Sequence, residues 1–271
     1  MPEKTPTPIW TFGTAYRVLA ARQKAGAGVP FYTRVVNRRL GRVGAAAGAA
    51  LGVTPHAVSL VGGALWAVAL LWLCVVPASF PVVLGVVALL VVSFGLDSAD
   101  GQLARLTGRT GRAGEWLDHV LDAARHIAVH LSVAVALHRV ADLPGPGRSA
   151  LVLPLLFALV SVTRFVAQIL GEQLRGGSGR RPVQGSAASG GRTPGGASAL
   201  IQLPADTGVL NASLLLMPLP GVFLAVYAVL TVANAVLLVA TLRRRFAELA
   251  ELDRVAARED RLSRAGGVGV R

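Results

Sequence analysis

The sequence predicts an all-α protein, a polytopic membrane bundle of six transmembrane helices with an N-terminal amphipathic surface helix. Three observations predict this class. Hydrophobic residues make up 53% of the 271 residues, and charged residues only 15%. The mean hydropathy is +0.58, which is typical of polytopic membrane proteins. Apolar segments of about 20 residues recur along the chain, close to the length that crosses a hydrocarbon core.

The charge of the chain narrows the choice of partners. The formal net charge is +13. In so apolar a chain we expect this charge to meet an anionic membrane surface or phosphate-bearing ligands, and we expect no nucleic acid partner. Cys74 is the only cysteine, so an intramolecular disulfide is excluded.

The first elements of the chain are basic. Residues 1–29 form a basic N-terminal segment. From residue 30 to residue 51, apolar side chains such as Phe31, Val36 and Leu40 are mixed with arginines. This mixture is typical of an amphipathic helix on the membrane surface, although a basic helix with ordinary packing would have a similar composition.

Six apolar segments follow, within a membrane domain of residues 30–245. We place the spans at residues 58–76, 81–105, 114–138, 150–170, 200–218 and 222–242. The fifth is the least regular, because Pro204 and Asp206 interrupt it. Residues 171–198 are rich in Gly, Ser, Arg and Pro and predict a flexible cytoplasmic loop. Residues 246–271 predict a charged, helical C-terminal tail.

The distribution of arginine predicts the orientation of the spans. The arginine-rich segments are 17–42, 105–112, 175–192 and 243–261, whereas the turns at 77–81 and 218–221 carry no charge. These two classes alternate as six spans with both termini on one side require. The positive-inside rule therefore predicts a multi-pass protein of the cell membrane, with both termini and the aspartates described next on the cytoplasmic side.

Four aspartates lie where the second and third predicted spans meet. Asp97 and Asp100 share a face near the end of one helix, while Asp118 and Asp122 share a face near the start of the next. A short turn makes these helices antiparallel neighbours, so we expect the four carboxylates to converge. Such a cluster needs a balancing cation. Because oxygen ligands suit Mg²⁺ or Mn²⁺, the sequence predicts a divalent metal site.

Small residues accompany the aspartates. Gly101 and Ala104 lie on the carboxylate face and leave a notch that a flat ring or a diphosphate could enter. Arg105, beside that notch, could neutralise phosphate oxygens. Two metal ions there could clamp the attacking and leaving oxygens of an in-line displacement. An aspartate not fully used by metal could take the proton from an acceptor hydroxyl.

Other interpretations of these residues are open at this point. The aspartates could bind the cargo of a cation transporter. They could also form structural salt bridges with nearby arginines, namely Arg105, Arg109, Arg112 and Arg125. We expect His126 and His130 to be hydrogen-bonded inside the bundle. Arg164 lies within the fourth span, where an arginine usually faces a polar interior, and it is a candidate for binding an acidic or phosphate-bearing acceptor.

Residues 97–122, DSADGQLARLTGRTGRAGEWLDHVLD, resemble the signature of the CDP-alcohol phosphotransferase (CDP-alcohol phosphatidyltransferase) family at all eight fixed positions. The resemblance implies that Asp97, Asp100 and Asp118 bind metal, and that Asp122 completes the metal site and acts as the general base. It also implies a CMP and diphosphate pocket lined by Gly101, Ala104, Arg105 and Gly114. Thr54-Pro55-His56 resembles the family's Thr-Pro-Asn before the first span, with histidine in place of asparagine.

The resemblance also implies a function. It is that of an integral membrane, Mg-dependent transferase of phospholipid biosynthesis, which moves a phosphatidyl group from CDP-diacylglycerol to a polar alcohol or sugar-alcohol phosphate and releases CMP. An alternative within the family is transfer of a phospho-alcohol from a soluble CDP-alcohol to a lipid acceptor. The resemblance further implies two Mg²⁺ or Mn²⁺ ions, membrane lipids as partners, and a possible homodimer.

Overall fold

The computed structural model describes residues 10–21, 32, 36–139, 150–177 and 202–266, and these ranges are helical without strands. Eight α-helices lie in them. In chain order they are α1 (Phe12–Ala21), α2 (Arg38–Ala50), α3 (Pro55–Val75), α4 (Phe80–Thr107), α5 (Arg112–His138), α6 (Val152–Gly177), α7 (Thr207–Leu214) and α8 (Pro220–Gly266).

Five of these helices, α3, α4, α5, α6 and α8, are long and apolar enough to cross a membrane. Their outer faces carry large exposed aliphatic side chains such as Leu71, Leu84 and Val229, which are as apolar as the lipid chains they would meet. Their inner faces meet in a core that includes Leu73 and Phe223. The predicted class, an all-α membrane bundle, is confirmed.

The number of long spans differs from the six that the sequence predicts. The described part of the predicted fifth span, residues 202–218, forms a 3₁₀ turn followed by the eight-residue helix α7. Pro204 has no N–H with which to continue a helix. The Asp206 side chain accepts a hydrogen bond from Gly208 N at 3.0 Å and caps α7 as a new helix. The segment still enters the bundle, because Asn234 of α8 donates a hydrogen bond to the Pro204 carbonyl at 2.7 Å.

The turn between α4 and α5 places the ends of two spans side by side. α4 ends at Gly108, whose φ of +68° is the left-handed conformation that glycine adopts without strain. The Arg109 N–H then donates to the Ala104 carbonyl at 2.9 Å and closes the helix end. Ser93, one turn before Asp97 on α4, donates to the Gly62 carbonyl of α3 at 2.8 Å. This contact holds the part of α4 that precedes the aspartates against α3.

The N-terminal helices were predicted only in part. Helix α2 lies within the predicted amphipathic segment, but the face that packs on α4 consists of small residues, namely Gly41, Ala45, Ala46, Gly48 and Ala49. Leu40 and Val43 are exposed, whereas Phe31 lies outside the described residues. Helix α1, within the segment predicted only as basic, buries Ala15 and Leu19 against its neighbours. α2 is therefore part of the bundle, held by close backbone approach.

Replacing Gly41 by alanine is expected to destabilise the protein by about 1–3 kcal/mol through overpacking. A Cβ at this position would lie 2.6 Å from Gln102 Nε2 and 2.7 Å from Ser98 Cβ of α4. The matched control is Gly13→Ala in α1, where a Cβ would meet nothing within 4 Å. Thermal unfolding in detergent should show a lower midpoint for Gly41→Ala alone. Equal midpoints for the two variants would contradict the packing of α2 on α4.

Helix α8 joins the last predicted span and the charged tail into one helix of 47 residues, about 70 Å long at the rise of an α-helix. Residues 171–177, predicted as the start of the flexible loop, instead continue α6; residues 178–198 of that loop lie outside the described residues. Arg245 of α8 is buried and joins the two helices, 3.0 Å from Glu248 and 3.5 Å from Glu172 of α6.

Candidate metal centre and substrate pocket

Three aspartates come together where α4 and α5 meet. One carboxylate oxygen from each of Asp97, Asp100 and Asp118 lies within 4.8 Å of the others. The first two belong to the last turns of α4 and the third to the first turns of α5. Asp100 is buried, and its carboxylate accepts a hydrogen bond from Ser59 of α3. The structure thus assembles three of the four aspartates that the sequence expected to converge.

This donor set fits a hard divalent cation. Three carboxylates at such a distance repel one another unless a cation or protons neutralise them. The cluster contains neither histidine nor cysteine, which are the usual ligands of zinc. Mg²⁺ and Mn²⁺ prefer oxygen ligands, and Asp97, Asp100 and Asp118 could supply them.

The fourth aspartate has a different partner. Asp122 lies one turn after Asp118 on α5, and its carboxylate is 3.0 Å from Arg125 Nη1. The same Nη1 atom also contacts the Asp97 carboxylate of α4. Arg125 is buried, with 5% of its surface exposed. Asp97 therefore belongs both to the three-aspartate cluster and to the ion pair with Arg125.

Small residues lie beside the cluster, where the sequence predicts a notch. The Arg105 side chain reaches back over Gly101, because a Cβ there would be 3.3 Å from Arg105 Nη1. On α5, a Cβ at Gly114 would be 3.4 Å from His56 Nε2 of α3. Ala104 is half-buried one turn from Gly101. Both helices thus leave room beside the carboxylates, and a basic side chain faces each glycine.

A pocket of about 610 Å³, including space open to solvent, lies deeper in the bundle. Its polar lining includes Asp122, Arg125, His126, Ser161, Arg164 and Asn211. Arg164, singled out from the sequence, therefore lies in the same pocket as Asp122. The pocket and the notch have no lining residue in common. Of the four aspartates, only Asp122 lines the pocket.

The comparisons with known proteins agree with this geometry. The family model described as CDP-alcohol phosphatidyltransferase matches residues 52–242, which include α3 to α7, all four aspartates and the pocket. The chain belongs to the CDP-alcohol phosphatidyltransferase family. No curated protein matches it. Membership makes it a membrane phosphotransferase of a family that uses CDP-linked substrates and lipid.

Within this family site, the role of Arg125 was predicted only in part from the sequence. It was named only as one of four arginines that could pair with the aspartates. Of those four, Arg125 alone forms an ion pair with them in the described part of the chain. Its position three residues after Asp122 puts both side chains on one helix face, so this contact could have been found from spacing. Its contact with Asp97 depends on how α4 packs on α5.

His126 and His130 of α5 are hydrogen-bonded inside the bundle, as expected. His126 Nδ1 lies 2.7 Å from Ser161 Oγ of α6. His130 is fully buried, with Nδ1 2.5 Å from the Tyr227 hydroxyl of α8 and its ring stacked on Phe157. These contacts join α5 to α6 and α8 and hold the wall of the CDP-alcohol phosphatidyltransferase pocket in place.

The segment before α7 also has a structural role that the sequence did not reveal. Asp206 is almost fully buried, and its carboxylate accepts a hydrogen bond from the backbone N–H of Tyr32 at 3.0 Å. Burial and this carboxylate raise the pKa of the Tyr32 phenol. The Tyr32 ring lies against Gly208, where a Cβ would be 2.1 Å from the ring. Asp206 therefore ties the edge of the pocket to the segment that precedes α2.

Proposed function

We propose that this protein is an integral membrane transferase of phospholipid biosynthesis, which moves a phosphatidyl group from CDP-diacylglycerol to a polar alcohol or sugar-alcohol phosphate and releases CMP. The observation that carries the proposal is the convergence of the Asp97, Asp100 and Asp118 carboxylates at the ends of two apolar helices. A diphosphate attached to diacylglycerol could reach these carboxylates while its acyl chains stay in the bilayer.

The residues of the site divide the reaction between them. Asp97, Asp100 and Asp118, with Asp122, would hold Mg²⁺ or Mn²⁺, proposed as two ions, which supply charge neutralisation to the diphosphate. Asp122 would accept the proton of the acceptor hydroxyl as its oxygen forms a bond to phosphorus. The bond between that phosphorus and the CMP oxygen breaks, and CMP leaves. Gly101, Ala104, Arg105 and Gly114 would line the space for CMP and the diphosphate.

The pocket below Asp122 favours an anionic acceptor. Arg125 Nε and Nη2 and Asn211 Nδ2 are buried there without a hydrogen-bond partner among the described residues. Arg164 lines the same pocket and pairs with no carboxylate in the described ranges. Buried donors without partners are costly, and a phosphate or carboxylate group would satisfy several of them at once. A cationic amino alcohol would meet like charge.

Replacing Arg164 by glutamine is therefore expected to raise the KM for the acceptor by about 10–100-fold, the effect of one lost charge-assisted hydrogen bond or two. The KM for the CDP-linked donor should change little, because the donor binds on the other side of Asp122. Arg175→Gln is the matched control, since Arg175 lies on the same helix but pairs with Glu248, 3.5 Å away. Steady-state kinetics that showed equal KM changes for donor and acceptor would contradict the assignment.

Orientation and assembly complete the proposal. Arginine-rich segments flank the aspartate end of the bundle, so the positive-inside rule supports placing this end and both termini in the cytoplasm of a cell-membrane protein. Accessibility of a cysteine introduced at Thr110 to a membrane-impermeant reagent would test that side. The resemblance to the family also makes a homodimer part of the proposal, which the mass of the solubilised protein would test.

The decisive experiment is an exchange reaction with the purified protein in lipid nanodiscs. Labelled CMP should enter CDP-diacylglycerol by the reverse reaction, in which a phospholipid of the nanodisc gives its phosphatidyl group to CMP and releases its alcohol. This exchange should require Mg²⁺ or Mn²⁺, and chelation should stop it. A panel of neutral, anionic and cationic alcohols should then yield a phospholipid only with a matching acceptor. If labelled CMP enters a soluble CDP-alcohol and does not enter CDP-diacylglycerol, the donor is a soluble CDP-alcohol and the proposed donor is wrong. Absence of exchange into either class would refute the proposed reaction.

A further inference from the structure

Arg125 brings a positive charge to two of the four aspartates. Its Nη1 atom lies between the two spans, in contact with Asp97 of α4 and 3.0 Å from Asp122 of α5. The guanidinium thus joins one carboxylate from each helix, as a metal ion held between the helices would. Its burial, with 5% of its surface exposed, makes this contact stronger than an exposed ion pair.

The four carboxylates are therefore divided into two groups. Asp97, Asp100 and Asp118 form one cluster that could hold a single divalent ion. Asp122 is outside it and is neutralised by Arg125, which also contacts Asp97. A second ion would need Asp122, and Asp122 is already occupied by a cation that belongs to the protein.

We propose that Arg125 is an internal counter-ion, which neutralises Asp97 and Asp122 in place of a second divalent ion and yields these carboxylates when the diphosphate substrate binds. The inference rests on the proposed function, because it requires the aspartates to bind metal. With one divalent ion and Arg125, the four carboxylates keep one uncompensated negative charge. A second divalent ion would leave one excess positive charge, which the anionic diphosphate would offset. Arg125 therefore makes binding of the second ion depend on substrate.

The surroundings of Arg125 leave two of its donor atoms available to an anionic ligand. Its Nε and Nη2 atoms have no hydrogen-bond partner within the part of the chain that the structure describes, and the side chain lines the pocket that contains Arg164. The Phe94 ring lies 5.5 Å from its guanidinium carbon and supports it by a cation–π contact. On leaving Asp97 and Asp122, the guanidinium would remain in this pocket, where an anionic acceptor would meet it. Second-ion binding and acceptor binding would then favour each other.

Counting bound ions without substrate tests this inference. The full chain in nanodiscs is titrated with Mn²⁺, and free Mn²⁺ is followed by electron paramagnetic resonance. We expect the wild type to bind one ion tightly and to bind a second only after CMP and pyrophosphate are added. Arg125→Met should bind the second ion without these ligands, at least about tenfold more tightly than the wild type, because a buried positive charge in contact with the ligands is gone. Arg164→Met, which removes the other arginine of the pocket, should still bind one ion.

A double variant separates direct competition from general charge repulsion. If Arg125 acts by occupying Asp122, then Arg125→Met should add no second ion in an Asp122→Asn background. Repulsion acting on the three-aspartate cluster would instead persist in that background, and this result would overturn the inference. Two tight ions in the wild type without substrate, or an unchanged isotherm for Arg125→Met, would overturn it as well.

The failure of the inference can be told apart from the failure of the proposed function. No tight Mn²⁺ in either the wild type or Arg125→Met would refute the metal site itself and, with it, the inference. One tight ion in both proteins would refute only the role of Arg125. If Arg125→Met does not fold, Arg125→Gln keeps a hydrogen-bonding group at the position and should bind the second ion in the same way. Failure of the folded glutamine variant to do so would count against the inference.

Discussion

Asp118→Asn is expected to lower turnover by a factor on the order of 10³ or more, since a metal ligand contributes several kcal/mol to charge stabilisation in a reaction of this kind. The structure places one Asp118 oxygen within 4.8 Å of oxygens from Asp97 and Asp100, so the change removes one of three convergent donors. Asparagine retains an oxygen but loses the charge. Affinity for Mn²⁺ should therefore fall together with CMP exchange.

The matched control for this prediction is Glu115→Gln. Glu115 lies one turn before Asp118 on α5, its side chain is 67% exposed, and its carboxylate lies 4.0 Å from His119 Nε2. The Glu115→Gln substitution removes the same charge from the same helix without removing a proposed metal ligand. Exposed pairs of this kind contribute little to stability. Exchange assays and Mn²⁺ titration should show near-normal values for Glu115→Gln. A comparable loss in both variants would mean that the net charge of the helix end matters, and that Asp118 is not a ligand.

The meeting of α4 and α5 could be predicted from the sequence because its determinants are local. The aspartates follow helical spacing, and Gly108 occupies the left-handed position that ends α4. The division of the aspartates into two groups could not be predicted in this way. Whether Asp97 faces Asp118 or Arg125 depends on the rotation of one helix about its axis relative to the other, and Asp97 contacts both groups.

The predicted fifth span shows why average hydropathy is not enough. The sequence from 200 to 218 is apolar overall, yet Asp206 is buried at its centre by contacts with Gly208 and Tyr32. Tyr32 is 174 residues from Asp206 in the chain, so local sequence patterns cannot predict that contact. Pro204 did mark the interruption, and the structure follows that signal with a 3₁₀ turn.

The packing of α2 on α4 is indicated in the sequence by small residues at helical spacing. Gly41, Ala45 and Gly48 recur at helical spacing and are buried against α4. Small residues at such intervals allow two helices in a membrane to approach closely. The arginines of the same segment instead predicted a helix on the membrane surface. Of the arginines in α2, Arg39 is exposed, whereas Arg38 and Arg42 are half-buried beside the small residues.

Asp122→Asn is expected to lower kcat by about 10²–10⁴-fold, the range for loss of a general base, while the affinity for CMP stays close to that of the wild type. Asp122 lies outside the three-aspartate cluster and lines the pocket that contains Arg164, so the first ion and the nucleotide should keep their proposed ligands. Asparagine can still accept the hydrogen bond from Arg125, which limits the structural change. Single-turnover release of CMP measures the chemical step, and binding of labelled CMP measures affinity.

This prediction depends on comparing Asp122→Asn with Asp118→Asn in the same assays. A base that acts only on the acceptor hydroxyl is needed in the transition state and not for binding the donor. The two aspartates are four residues apart on one helix face, yet the structure joins one to the three-aspartate cluster and the other to Arg125. Loss of kcat with retained CMP binding only in Asp122→Asn would match that division. If both variants lose CMP binding equally, Asp122 acts as a ligand of the same cluster, and the proton of the acceptor must go to another group.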